Sequence, residues 1–150
     1  MKVFNTLVMI LLVILILMCG CLGKDPFNDP FYAIDFGDLQ FDGVYQSEKY
    51  DNQYWHYIRF YEDGIVLTIS TAGTPLEIAV WFKKENIETG NFSHGEFEVD
   101  DNHVVFSATS ANGTGDHEGD VQEDTLTLES YSHINENRET RIYTFVKLSE

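Results

Sequence analysis

Residues 54–84 read YWHYIRFYEDGIVLTISTAGTPLEIAVWFKK, and the fold is decided by how this stretch is read. Residues 54–61 are rich in aromatic side chains, which suit the pleated, half-buried surface of a strand. Glu62-Asp63-Gly64 is a hairpin turn in which Gly64 supplies the positive φ of a three-residue loop. Residues 65–70 form the returning strand. Thr74-Pro75-Leu76-Glu77 then marks a helix start: a Thr cap, Pro at the first helical position and Glu three residues after the cap. The helix is predicted to reach Lys83 or Lys84, whose charges suit a C-terminus. Leu76, Ile78, Ala79, Val80, Trp81 and Phe82 make it apolar on most sides. Such a helix should cover something, for example the open end of a barrel, or face a partner or lipid.

Period-two alternation gives the strand at 54–61 two faces. One carries Tyr54, His56, Ile58 and Phe60; the other carries Trp55, Tyr57, Arg59 and Tyr61. Arg59 belongs outside, so the first face is expected to point inward, joined by Ile65, Leu67 and Ile69. This set fits either a pocket with Tyr54 and His56 as polar handles or plain core packing. With the helix as a lid, Trp81 and Phe82 would control the mouth. The candidate ligand-binding residues are therefore Tyr54, His56, Ile58, Phe60, Trp81 and Phe82. The outer Trp55-Tyr57-Tyr61 stripe reads as a partner or sugar-stacking surface, or as a surface covered by tether or helix.

Working outward, residues 41–47 form a strand before this stretch. Strands at 91–99, 103–110, 116–122, 125–133 and 140–148 follow it, separated by polar or Gly-rich turns. Short strands at regular spacing indicate an all-β barrel or sandwich. Gly43-Val44-Tyr45, Gly95-Glu96-Phe97 and Gly119-Asp120-Val121 each place Gly two residues before an apolar side chain. A glycine recurring in the strands fits a barrel with sharp bends. The expected fold is an eight-stranded antiparallel barrel with one short helix after the third strand.

The chain resembles the lipocalin-like barrels. Those proteins carry Gly-x-Trp on their first strand, where this chain has Gly43-Val44-Tyr45. They also carry a late basic residue that packs over that aromatic, a place Lys147 or Arg141 would fill. The helix after the third strand and the Tyr in place of Trp depart from the pattern. The closer likeness is to uncharacterised prokaryotic, archaeal or bacterial lipoproteins of the lipocalin-like kind. The resemblance implies a barrel with a ligand cavity and names no ligand.

The N-terminus supplies an address. Met1-Lys2 precedes an apolar run over 7–18, which makes a secretory signal and is marginal for a membrane span of about 20 residues. Cys21 follows Gly20, with Met18 three places before it, so 18–21 resembles a lipobox; Cys19 fits worse because Met18 directly precedes it. Two readings stand: a signal peptide over 1–20 with lipidation of Cys21, or an uncleaved anchor helix. A single lipid chain anchors only marginally. Residues 21–40 form a tether with a repeated Asp-Pro-Phe, at 25–27 and 29–31. Its second half is apolar enough to lie against the domain, and Phe27 and Phe31 are candidates for partner docking. The barrel domain is assigned to 41–150, on the extracytoplasmic side of the cell membrane and held there by the lipid or helix.

The charge is −16 and becomes −17 once Lys2 leaves with the signal. That argues against nucleic acid, which is bound through Lys and Arg. Both cysteines lie in the N-terminal segment, so the barrel folds without a disulfide; a monomer is expected. His56, His94, His103, His117 and His133 do not fall at ligand spacing along any strand, and no metal or cofactor is expected. Asp116, Glu118 and Asp120 share a strand face but lack a calcium-loop spacing. No Gly-x-Ser-x-Gly elbow is present, and no catalytic residue is assigned. Asn91-Phe92-Ser93 and Asn112-Gly113-Thr114 match the glycosylation triplet.

The expected function is a membrane-tethered binding module for a small apolar or amphipathic ligand. The alternative is a solid barrel acting through its helix or aromatic face. A Cys21→Ser chain should keep its unprocessed mass and take up no labelled lipid. Unchanged processing, read by gel mobility and mass spectrometry, would exclude the lipobox.

Overall fold

The computed structural model describes residues 35–148. The signal segment, Cys21 and the first part of the tether lie outside the described residues. The strands follow one another in chain order: β1 (Gly43–Ser47), β2 (Trp55–Phe60), β3 (Ile65–Thr71), β4 (Ser93–Asp100), β5 (His103–Ser110), β6 (Gly113–Gln122), β7 (Thr125–Ser132) and β8 (Arg138–Lys147). Each pairs antiparallel with its neighbour, and β1 pairs with β8 from Gly43 opposite Lys147 to Ser47 opposite Tyr143, closing the barrel. The one α-helix among the described residues, α1 (Pro75–Ile78), follows β3. Every expected strand is present. The glycine-rich stretch at 111–115 is shorter as a loop than its composition suggests. Gly113 begins β6 with a positive φ, so Ala111-Asn112 alone makes the turn.

Alternation fills the interior. Val104, Phe106 and Ala108 of β5 and Leu126 and Leu128 of β7 are buried while their neighbours are exposed. Gly95 and Gly119 lie on this inward face. A Cβ at Gly95 would collide with the Ser107 carbonyl, and one at Gly119 with the Thr127 carbonyl. The glycines therefore sit where adjacent strands approach too closely for a side chain, as expected for the bends of a small barrel.

On β3 the inward face is Val66, Thr68 and Ser70, not Ile65, Leu67 and Ile69. The hairpin register decides this: Phe60 opposes Val66 and Ile58 opposes Thr68, and directly opposed residues share a face. Apolar side chains occupy both faces of β3 because both are covered.

One end of the barrel is plugged by residues 36–41, the end of the tether. Leu39 is buried, and Phe36 and Phe41 pack edge to face, 4.9 Å apart, beside Phe97. Asp38 accepts from the Glu123 N–H at 3.0 Å and donates its own N–H to the Asn102 side chain at 2.8 Å. Gln40 donates to the Tyr45 hydroxyl and to the Asp124 carboxylate. Tyr45 packs between Phe60 and Phe145; the rings beside it are aromatic, with neither Lys147 nor Arg141 stacked on it.

The helix does not cap the barrel. It lies against the outer wall, where Ile78 and Phe82 are fully buried with Val44, Tyr57, Leu67 and Phe92 in a second apolar cluster. The Trp55-Tyr57-Tyr61 side of β2 is thus covered from this side: the Tyr57 hydroxyl donates to the Gly73 carbonyl, and the Tyr61 hydroxyl accepts from the Lys84 N–H. The start is as expected, with the Glu77 carboxylate accepting from the Thr74 N–H at 2.7 Å. The length is not. The helix ends at Ile78, and a 3-10 turn at Lys84–Asn86 follows. Two carbonyls just beyond the helix are bonded by side chains. Arg59 Nη1 donates to the Phe82 carbonyl and Asn86 Nδ2 to the Trp81 carbonyl.

Phe82→Ala should therefore destabilise the fold by about 3–5 kcal/mol, whereas Trp81→Ala, at a side chain 37 % exposed, should cost less than about 1 kcal/mol. Urea unfolding monitored by circular dichroism separates the two.

Candidate functional site

Apolar filling stops partway along the barrel. Towards the plugged end the interior holds Tyr45, Phe60, Val66, Phe97, Val121 and Leu126. Towards the other end the inward positions become polar. Ser47 and Tyr143 oppose each other across β1 and β8, His56 opposes Ser70, and Ser130 opposes Glu139. Arg141, opposite Leu128, lies on the same inward face of β8 as Glu139 and Tyr143. The result is an open cavity of about 500 Å3 whose wall includes His56, Ser70, His117, Ser130, Glu139 and Arg141. Tyr50, Tyr54, Trp55 and Tyr131 stand around its edge, with Asn135 and Asn137 from the β7–β8 loop.

Two imidazoles set the chemistry. The backbone N–H of His56 donates to Ser47 Oγ at 2.9 Å, and its Nδ1 meets the Tyr143 hydroxyl at 3.1 Å. Burial holds the Tyr143 phenol protonated by raising its pKa. Among the described residues His56 is its one hydrogen-bond partner, and in the tautomer whose proton lies on Nε2 the phenol donates to Nδ1. Burial drives His56 down to about 3, with the nearby Arg141 charge adding to the effect. His117 Nδ1 meets Ser130 Oγ at 2.8 Å, and its ring stacks on Phe106 at 4.6 Å. Burial also pushes His117 down, to about 4, against the opposing pull of Asp116 and Glu139. Gly115, two residues earlier on the same face, leaves space for the His117 ring; a Cβ there would lie 3.1 Å from Nε2.

Arg141 Nη2 donates to Glu139 Oε2 at 2.8 Å. Its guanidinium lies 5.6 Å from the centre of the Tyr50 ring. The cavity therefore holds one cation and one anion in contact, two neutral imidazoles and several hydroxyls. Hydrogen bonds and the charge pair satisfy these groups only in part, and the remaining donors and acceptors face the open space.

A different concavity, of about 540 Å3, lies on the outer wall among β5–β8. Asp116 dominates it, accepting from Ser107 Oγ and bonded to His133 Nε2 at 2.6 Å, contacts that hold its carboxyl below the usual range. Asp116 and Glu118 line it, and Asp120 lies on the same outward face of β6. Among the described residues, no three His, Cys, Asp or Glu side chains converge on a point where a metal ion would sit.

The residues singled out from sequence separate into four places. His56 lines the cavity. Ile58 and Phe60 are fully buried in the apolar half below it, and Trp81 and Phe82 belong to the outer wall, away from the mouth. Tyr54 precedes β2, bridged to Tyr50, and is a rim residue 47 % exposed. His117, Ser130, Glu139 and Tyr143 were not foreseen as one site. The available signal was on β8: Tyr143 and Phe145 mark its apolar face, and Glu139 and Arg141 lie on that face at the same period. Neither a protein-family model, nor a curated protein, nor a solved structure matches the chain.

The imidazole shifts carry a pH dependence. Between about pH 6.5 and 4 the unfolded chain binds protons that the folded chain refuses at His56 and His117. Stability therefore falls as pH falls through that window. At pH 5 the loss relative to pH 7 should reach up to about 2 kcal/mol per histidine. A His56→Gln, His117→Gln chain should lose less over the same interval, measured by urea midpoints at the two pH values.

Proposed function

We propose that this chain is a membrane-tethered extracytoplasmic lipoprotein whose barrel binds a small molecule in its open half. The observation that carries the reading is the half-filled interior: apolar packing ends near Ile58, Phe106 and Tyr143, and a polar cavity of about 500 Å3 takes over. An eight-stranded barrel has the width to be filled by its own side chains or to hold one small ligand. Inward-facing His56 and His117 cost desolvation free energy that apolar residues would not. A purely structural barrel has no use for them. Their polarity favours a ligand that is polar, or amphipathic with its polar end inward, over a wholly apolar one. Anchoring through Cys21, or through an uncleaved N-terminal helix, would hold the cavity outside the membrane.

The second reading, a partner-binding barrel, draws on the outer wall. Leu76 is 70 % exposed and Val80 74 % exposed, with Trp81 beside them, an apolar patch of the kind found at interaction sites.

Native mass spectrometry of the full chain, extracted in mild detergent, tests the choice. The binding module predicts a co-purified small-molecule mass increment that disappears when Ser130→Leu fills the cavity. An increment that survives Ser130→Leu but is lost in Leu76→Asp, Val80→Asp would transfer the function to the outer wall.

A further inference from the structure

The cavity's own chemistry narrows the class of ligand. Arg141 and Glu139 neutralise each other at 2.8 Å. An anion entering the cavity would gain Arg141 but meet the Glu139 carboxylate, in a chain of net charge −16. A cation would gain the Glu139 carboxylate but meet the Arg141 guanidinium. A neutral ligand escapes both penalties. What the wall offers such a ligand is a dense mixture of hydrogen-bonding groups. Arg141 has further N–H donors and Glu139 further lone pairs. His56 presents Nε2, which has no protein partner among the described residues, and Ser70 and Ser130 carry hydroxyls that both donate and accept. An apolar occupant would leave these groups unpaired.

The rim adds the second half of the pattern. Tyr50 is 60 % and Tyr54 47 % exposed, both at the cavity edge. Tyrosine combines an apolar ring face with a polar tip. A polar wall below an aromatic rim complements a molecule with hydroxyls around its edge and C–H groups on its faces. The cavity volume falls within the range of about 300–1,000 Å3 usual for small-molecule sites.

We propose that the open half of the barrel is a carbohydrate site, taking a neutral mono- or disaccharide with its hydroxyls on Arg141, Glu139 and His56 and a ring face against Tyr54 or Tyr50. This rests on the reading of the cavity as a ligand site and adds the chemical class.

Isothermal titration calorimetry of the full chain, in a detergent free of sugar, tests it. The probes are glucose, galactose, N-acetylglucosamine, maltose and lactose, set against sodium phosphate, sodium acetate and glycine at matched ionic strength. At least one sugar should give saturable heat. Its affinity should fall about tenfold or more in Arg141→Ala and in Tyr54→Ala, and should be largely restored in Tyr54→Phe, which keeps the ring. Tyr54 is at the rim, so its variants remain informative if circular dichroism shows that Arg141→Ala is unfolded. Saturable heat with phosphate, acetate or glycine and none with any sugar would overturn the carbohydrate class and leave the cavity reading standing. Heat with none of the probes, from a chain whose co-purified molecule has a mass and fragmentation that exclude a sugar, would likewise overturn the carbohydrate class alone. Heat with none, from a chain that carries nothing, would overturn both.

Discussion

Pairing of the first strand with the last is the constraint on which the rest of the structure depends. Once Gly43 to Ser47 lies against Tyr143 to Lys147, the sheet has no free edge and every inward side chain competes for one narrow interior. Closure brings neighbouring strands close enough that Gly95 and Gly119 cannot carry a side chain. It also fixes what each layer contains. Tyr45 meets Phe60 and Phe145 because β1 is between β2 and β8, and the tether's Phe36 and Leu39 find an apolar end to plug.

The same closure makes the polar half expensive. Neutral His56 and His117 are tolerated because each is hydrogen-bonded, to Tyr143 and to Ser130. Arg141 is tolerated because Glu139 is on the same face of the same strand. These are local solutions to burial, and they leave unpaired capacity pointing into open space. Stability and the binding chemistry proposed here thus draw on the same residues. The apolar half, sealed by the plug, supplies the fold stability that lets the polar half remain unfilled.

On the outer wall, the segment between β3 and β4 acts as a cover. Its short helix and 3-10 turn bury Ile78 and Phe82 over Val44, Tyr57 and Leu67, which explains why β1, β2 and β3 are apolar on both faces. Arg59 connects the two layers: it points outward as its charge requires, and donates to the Phe82 carbonyl while lying over the Tyr61 ring at 5.1 Å. That donation and the Asn86 bond to the Trp81 carbonyl satisfy carbonyls of the segment after the helix.

Much was determined by the sequence alone, because it is local. The period-two alternation of β5 and β7, the Gly64 turn, the Thr74–Glu77 helix start and the number of strands each follow from residues within a few positions of one another. So does the outward placement of Arg59. What only the tertiary structure decided depends on partners distant in the chain. Ile65, Leu67 and Ile69 face out because the β2–β3 register puts Val66 opposite Phe60 and because a cover lies outside them. Trp81 and Phe82 lie on the wall because that cover has a side to fill and the barrel mouth does not need it. His56 from β2, His117 from β6, Ser130 from β7 and Arg141 from β8 become one cavity wall only when the barrel closes. No local pattern unites residues that far apart; the geometry of closure does.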